Sequence, residues 1–143
     1  MKLEILSGSL QSVAEYLPKL KLNGRDNRAR QKLLLKVTDK FKEFYSDIQE
    51  VKSDYPDDTE KQNEAFTELS KEKSVLDMSE YEHMMPALYN ALLDYPHEIG
   101  TEREYGKPTD ASIHDYVIDV LEEVIESNNE TQNTEETKLM EVE

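Results

Sequence analysis

Residues 26–54 read DNRARQKLLLKVTDKFKEFYSDIQEVKSD, and this stretch decides the fold. Together with Tyr55, which follows it, this stretch has the strongest hydrophobic periodicity in the chain, with intervals of 3, 4, 3, 4, 3 and 4 residues between apolar side chains. The residues that carry it are Leu34, Val37, Phe41, Phe44, Ile48, Val51 and Tyr55. Because an α-helix has about 3.6 residues per turn, they form one narrow stripe along a long helix. Such a stripe must pack either within a helical bundle of the same chain or against a second copy in a coiled coil.

The segment after this helix predicts the second arm of a helical hairpin. Pro56 disfavours helical backbone at Tyr55 and ends the long helix. Thr59 followed by Gln62 is a capping-box pattern that opens a helix through about residue 73. Its short apolar stripe can lean on the long helix but cannot fill a core. The stripe consists of Ala65, Phe66 and Leu69.

Two short apolar runs predict a small sheet. In residues 2–6, Leu3 and Ile5 alternate with polar residues, which is typical of a strand. Residues 74–78 form a second run of this kind. Because an isolated strand leaves its backbone groups unpaired, we expect the two runs to pair.

The remaining segments complete a mainly α fold (α+β with a minor two-stranded sheet). A short helix is expected after Ser9, where small and apolar residues recur at helical spacing. Two further helices are expected after Ser79, where Pro86 implies either a kink or a later start, and after Thr109. Residues 96–108 predict a loop, either a functional segment or a plain connector. The chain is therefore interpreted as a single helical domain over 1–126, a long helical hairpin plus two further helices, with a disordered acidic tail over 127–143.

The charge of the chain is strongly acidic and unevenly distributed. The 143 residues carry a formal net charge of −15 and no cysteine. Residues 19–42 are net +7, whereas residues 43–143 are net −21. This polarity bears on solubility and on the sign of a partner rather than on the fold. The lack of cysteine excludes disulfides and thiol chemistry and favours a cytosolic location.

No group of residues has the spacing of a catalytic, metal or cofactor site. His114 with Asp115 and Asp119 lacks the i, i+4 arrangement that places two metal ligands on one helical face. The acids around Pro56 lack the glycine and the closing glutamate of a calcium loop. The four glycines are scattered, so no phosphate-binding loop is indicated. No run of about 18 apolar residues predicts a membrane span. We therefore expect a soluble protein that is not an enzyme and uses no cofactor.

A basic segment at the start of the long helix is the candidate binding surface. It contains Arg25, Arg28, Arg30, Lys32 and Lys36. These cations can pair with acids of the same chain or of a neighbouring subunit, contact another protein, or bind nucleic-acid phosphates. Nucleic acid is disfavoured because the net charge of −15 repels phosphate unless the helix projects beyond the screening length of about 8 Å.

Three ordered stretches carry a family resemblance. They are residues 20–30, with the pattern Gly-x-x-x-Arg-x-Arg from Gly24 to Arg30, residues 75–80 and residues 114–119. Together with the order of the elements over residues 1–126, they resemble a family of small uncharacterised proteins from tailed phages and prophages of Gram-positive bacteria. The resemblance implies a phage origin and supplies no catalytic residue.

The expected function follows from these observations. The leading hypothesis is a phage-encoded, non-enzymatic accessory or structural protein that contacts a phage or host protein, in the host cytoplasm or with the virion. A homodimer through the long helix is a further expectation. One alternative is an acidic inhibitor that mimics nucleic acid and occupies a host defence or nuclease protein. Another is nucleic-acid binding through the basic helix 25–42.

Overall fold

The computed structural model describes the backbone of residues 1–142 and the side chains of residues 1–127. It has two strands and five α-helices. The strands are β1 (Lys2–Leu6) and β2 (Lys73–Asp77). The helices are α1 (Leu10–Tyr16), α2 (Gly24–Asp54), α3 (Thr59–Lys71), α4 (Met85–Leu93) and α5 (Asp110–Val142). Short 3-10 turns cover Ser7–Ser9, Leu17–Lys19 and Ser79–Met84. The mainly α fold with a minor sheet is confirmed.

The two strands pair as the sequence predicts. They run antiparallel, with Leu3 opposite Leu76. The pairing extends past both ends, because Met78 N–H donates to the Met1 carbonyl at 2.8 Å and Ser7 N–H donates to the Glu72 carbonyl at 2.8 Å. Leu3 and Ile5 of β1 and Leu76 of β2 enter the core, Ser74 is half-buried, and the other strand residues are exposed.

The core lies between the sheet and helices α1, α2, α4 and α5. It consists of Leu3, Ile5, Leu10, Val13, Tyr16, Leu17, Leu20, Ala29, Leu33, Val37, Leu76, Met78, Met85, Leu88, Leu92, Ile113, Val117, Val120, Leu121 and Ile125. Each helix contributes residues three or four apart, which is the spacing expected for one buried helical face. α3 contributes no fully buried residue.

The predicted stripe of α2 is only partly buried, and this corrects the sequence analysis. The fully buried residues of α2 are Ala29, Leu33 and Val37, of which only Val37 belongs to the stripe. Small Ala29 lets the first half of α2 pack closely against the body of the fold, so the buried face is rotated from the stripe. Beyond Val37 the stripe forms a half-buried seam beside α3, and Tyr55 is exposed.

Several element boundaries differ from the prediction. α2 starts at Gly24, which has a φ of 55°. α3 is capped by Asp58 rather than Thr59, since the Asp58 carboxylate accepts a hydrogen bond from Lys61 N–H at 3.0 Å. The Gln62 side chain donates to the Tyr55 carbonyl at 2.5 Å and so closes the turn between the two helices. Both contacts satisfy backbone groups that a helix end leaves unpaired.

The second half of the chain follows the prediction closely. The capping pattern at Ser79 gives a 3-10 turn, and α4 begins at Met85 with Pro86 in its first turn, where a proline is tolerated. Thr109 caps α5 by accepting a hydrogen bond from Ser112 N–H at 3.1 Å. Residues 96–108 contain no helix or strand. The disordered tail predicted over residues 127–143 lies, except for Ser127, outside the residues whose side chains are described.

Candidate partner-binding surface

Four of the five predicted cations lie along one side of the first half of α2. Arg25 is exposed, and its guanidinium is 3.5 Å from the carbonyl of His83. Arg28 is exposed one turn further along the helix. Lys32 and Lys36 are half-buried beside the 3-10 turn that contains Tyr81. The structure thus brings these four residues together on one surface.

Tyr81 holds two of these cations in place. The ammonium groups of Lys32 and Lys36 lie 5.1 and 5.9 Å from the centroid of its ring. A cation within about 6 Å of an aromatic face is attracted by the ring quadrupole. This attraction favours conformations in which both long side chains lie over the ring. Sequence reasoning missed Tyr81 because no local pattern connects it to a helix some 45 residues earlier.

Arg30 lies on a different side of α2 from the other four cations and stabilises the fold. Its guanidinium Nη1 donates to the carbonyls of Leu17, Pro18 and Leu20 at 3.4, 3.3 and 3.1 Å. Its Nη2 donates to the side chain of Asn27. These carbonyls lie where α1 and the following 3-10 turn end, where helical N–H partners run out; the Leu17 carbonyl also accepts from Leu20 N–H at 3.3 Å. Arg30 therefore fastens the end of the first helical segment to α2 and is not free to contact a partner.

A row of seven charged residues runs along α2, and we call it the charged row. Its members are Arg25, Lys32, Lys36, Glu43, Asp47, Glu50 and Asp54. Their intervals of 7, 4, 7, 4, 3 and 4 residues keep them on one side of the helix. Arg25 and the four acids are exposed. The sign of the charge changes once along this row, between Lys36 and Glu43.

Residues 38–72, which we call the arm, project from the body of the fold. No residue in this segment is fully buried. Phe41 and Phe44 still pack against the edge of the core, whereas no apolar side chain beyond them on α2 or α3 does. The side chain of Tyr45 is 56% exposed, and its ring lies 6.3 Å from that of Phe41. Residues 43–72 contain ten acids and three bases, so the outer arm is acidic.

The main buried polar contact belongs to the core rather than to a site. The Tyr16 hydroxyl donates to Nδ1 of His114, and Nε2 of His114 donates to the Leu92 carbonyl at 3.0 Å. Burial raises the pKa of Tyr16, and the negative charges of Asp110 and Asp115 add to this effect. Both ring nitrogens of His114 are thus engaged inside the protein. Asp115 and Asp119 point to solvent, and the described residues contain no group of three metal-ligating side chains.

The loop over residues 96–108 lines one side of an open cleft of about 650 Å³. Lys19 and Asp110 form an ion pair of 3.1 Å at its wall, and Ala111 N–H donates to the Gly100 carbonyl at 2.9 Å. The hydrogen bond attaches the loop to the start of α5, and the ion pair joins the 3-10 turn after α1 to the same end of that helix. The wall is mostly polar, and its charged groups include both signs.

Comparison with known proteins gives no relative. No family model matches the chain, and neither the curated proteins nor the solved structures contain a match. In the part of the chain that the structure describes, no helix combines the length and the apolar content needed to cross a membrane.

Proposed function

We propose that this chain is a phage-encoded, non-enzymatic accessory or structural protein that acts through contacts with phage or host proteins. The arm is the proposed contact surface. The observation that carries the proposal is that residues 38–72 form an ordered helical hairpin without one fully buried side chain. A segment without a fully buried side chain keeps apolar and charged groups accessible for contacts outside the chain.

Energetics support this role for the arm. Fixing the backbone of one residue costs about 1–2 kcal/mol, which core residues offset by burying apolar surface. The outer arm offsets little of this cost, because Ile48, Val51 and Phe66 are only half-buried. A partner that covers the seam would bury this surface further. Exposed Tyr45 is of the residue type most often found at the centre of such contacts.

The buried polar groups support a role without catalysis. Ser7 and His114, the buried polar residues among those described, form hydrogen bonds with Ser74, and with Tyr16 and Leu92. A catalytic group needs a perturbed pKa and access to a substrate. These residues instead join elements of the fold. The phage origin and the location, host cytoplasm or virion, rest on the resemblance described above.

Photo-crosslinking at two matched positions tests the proposal. We would place p-benzoylphenylalanine at Tyr45 on the arm and, as a control, at Leu93 on the body. The two side chains are 56% and 52% exposed, so their access to solvent is comparable. During infection, position 45 should crosslink to one defined phage or host protein, and position 93 should not. Purified particles from the same culture would show whether that partner belongs to the virion.

The outcome that contradicts the proposal is equally defined. If neither position gives an adduct with another protein, or if both positions give the same set of adducts, the arm is not a specific contact surface for a phage or host protein.

An acidic inhibitor that mimics nucleic acid remains the second candidate. The exposed acids Glu43, Asp47, Glu50 and Asp54 favour it, because they line up along one helix as charges do along a nucleic-acid strand. This function predicts that the crosslinked partner is a nucleic-acid-binding protein and that its affinity falls steeply with salt. A partner whose affinity is independent of salt would exclude it. Binding of nucleic acid by the chain itself would depend on Arg25, Arg28 and Lys32, and an unchanged gel mobility at low salt would exclude that alternative.

A further inference from the structure

The charged row is self-complementary when it is read in opposite directions. Pairs of its residues whose numbers add to 79 always carry opposite charges. These pairs are Arg25 with Asp54, Lys32 with Asp47, and Lys36 with Glu43. The central pair with the same sum, Asp39 and Lys40, is also of opposite charge. A two-fold axis that crosses α2 between Asp39 and Lys40 would bring every one of these pairs together.

We propose that two copies of this chain associate through antiparallel α2 helices about such an axis, so that the partner of the charged row is a second copy of the row. This inference rests on the proposed role of the arm as a contact surface. In a two-fold dimer, residue i of one copy faces residue j of the other, and j faces i. Each opposite-charge pair therefore occurs twice in the dimer. Glu50, the remaining acid, comes level with Ala29, between Arg25 and Lys32 of the second copy.

In the part of the chain that the structure describes, no two members of the charged row form an ion pair with each other. At about 1.5 Å per residue, Lys32 and Asp47 are about 22 Å apart, and even Lys36 and Glu43 are about 10 Å apart along the helix. Both separations exceed the distance of an ion pair and the screening length of about 8 Å. Within one copy, Glu43 pairs with Lys40, which lies outside the row, at 3.2 Å, whereas the basic and acidic halves of the row can meet between copies.

A second copy explains the row better than an unrelated protein would. A partner of uniform charge would attract one half of the row and repel the other. A second copy in antiparallel orientation matches both halves with one surface, and its position along the helix is fixed by the point at which the sign changes. The basic half of each copy meets the outer arm of the other, where ten acids oppose three bases over residues 43–72.

Two variants with reversed charges test the proposal when they are mixed. K32E/K36E makes the row uniformly acidic except at Arg25, and E43K/D47K adds two cations to its acidic half. In a homodimer of either variant, like charges face each other at four places, so we expect dimerisation at least about tenfold weaker than in the wild type. In a 1:1 mixture each introduced charge faces an opposite one. Sedimentation and native mass spectrometry should then show the heterodimer.

Matched controls separate this contact from the effect of net charge. E64K/E68K and K61E/K71E make the same changes of charge on α3, at exposed positions outside the row. Both should dimerise like the wild type, and circular dichroism should show that all variants retain the helical fold. A wild type that is monomeric at about 0.1 mM, or a mixture without the heterodimer, would overturn the proposal.

The two proposals fail in different ways. A monomeric wild type that still crosslinks through position 45 to another protein leaves the proposed function intact and removes the dimer. A dimer in sedimentation without an adduct to any other protein at position 45, which lies on the side of α2 opposite the row, supports this inference and contradicts a phage or host partner.

Discussion

The hydroxyl of Tyr16 donates a hydrogen bond to Nδ1 of His114 at the centre of the core. Nε2 of His114 lies 3.0 Å from the Leu92 carbonyl oxygen. Because a carbonyl oxygen can only accept a hydrogen bond, Nε2 carries the proton and donates it. One imidazole ring therefore joins α1, α4 and α5. Tyr16→Phe should leave Nδ1 without its donor and lower the free energy of unfolding by about 1–3 kcal/mol. Urea denaturation measures this, and exposed Tyr45→Phe, a change of the same kind, should stay within about 0.5 kcal/mol of the wild type.

The same tyrosine predicts a loss of stability at high pH. Burial raises the pKa of Tyr16 above its usual value of about 10. The folded state therefore holds this proton more tightly than the unfolded state does. The corresponding stability is complete below pH 10 or so and is lost as the pH rises through the pKa of the folded state. Urea denaturation from pH 8 upwards should show a smaller decline for Tyr16→Phe than for the wild type, and parallel curves would contradict the assignment.

Two neighbouring leucines of α2 should differ sharply in their effect on stability. Leu33 is 1% exposed in the core, and Leu35 is 49% exposed on the opposite side of the helix. Leu33→Ala should lower the free energy of unfolding by about 2–5 kcal/mol, because it removes buried apolar atoms and leaves a cavity. Leu35→Ala should change it by less than about 0.5 kcal/mol. Similar losses for both variants in thermal or urea unfolding would mean that the buried face of α2 is assigned incorrectly.

Arg30 should be far more sensitive than Arg28 to a substitution that keeps its charge. Lysine cannot reproduce the planar guanidinium that reaches the carbonyls of Leu17, Pro18 and Leu20. Arg30→Lys should therefore destabilise the fold by about 1–2 kcal/mol. Arg28→Lys at an exposed position should have almost no effect on unfolding. Equal midpoints in urea for the two variants would contradict the structural role of Arg30.

Gly8 packs closely against α3 at the end of the arm. A Cβ added at Gly8 would lie 2.9 Å from Ser70 Cβ and 3.2 Å from the Ser70 carbonyl oxygen. Gly8→Ala should destabilise the protein by about 1–3 kcal/mol through overpacking. Ser70→Gly removes the first of these contacts and should recover part of the loss. A double-mutant cycle would detect the coupling, and strictly additive effects would show that the two residues are not in contact.

Much of the fold was predictable because local patterns determine it. Periods of three and four residues located the long helix, its hairpin partner and the last helix, and alternation around Leu3 and Leu76 located the sheet. Pro86 left two possibilities open for the fourth helix. The structure shows the later start, with this proline in the first turn of α4. The cap at Thr109 was predictable because it depends on only a few neighbouring residues, whereas the cap of α3 is Asp58 and not the predicted Thr59.

The features that were missed depend on contacts between distant segments. The stripe through Phe41 and Ile48 was the strongest pattern, yet the core selects the face of Ala29 and Leu33, since a small residue permits close packing there. Arg30 could not be distinguished from Arg28 by sequence, because the carbonyls that it contacts belong to another segment. The dimer and the phage or host partner stay predictions.

The arm leaves and rejoins the body at two neighbouring fixed points, so its length can vary without a change in the rest of the fold. Val37 is the last fully buried residue before the arm, and the Glu72 carbonyl that ends it is already bonded to Ser7 N–H beside the sheet. Seven residues added to each helix would extend the tip by about 10 Å and return the chain to the same place. Insertions or deletions of whole helical turns in both helices would therefore change the length of the arm and leave the domain that carries it unchanged.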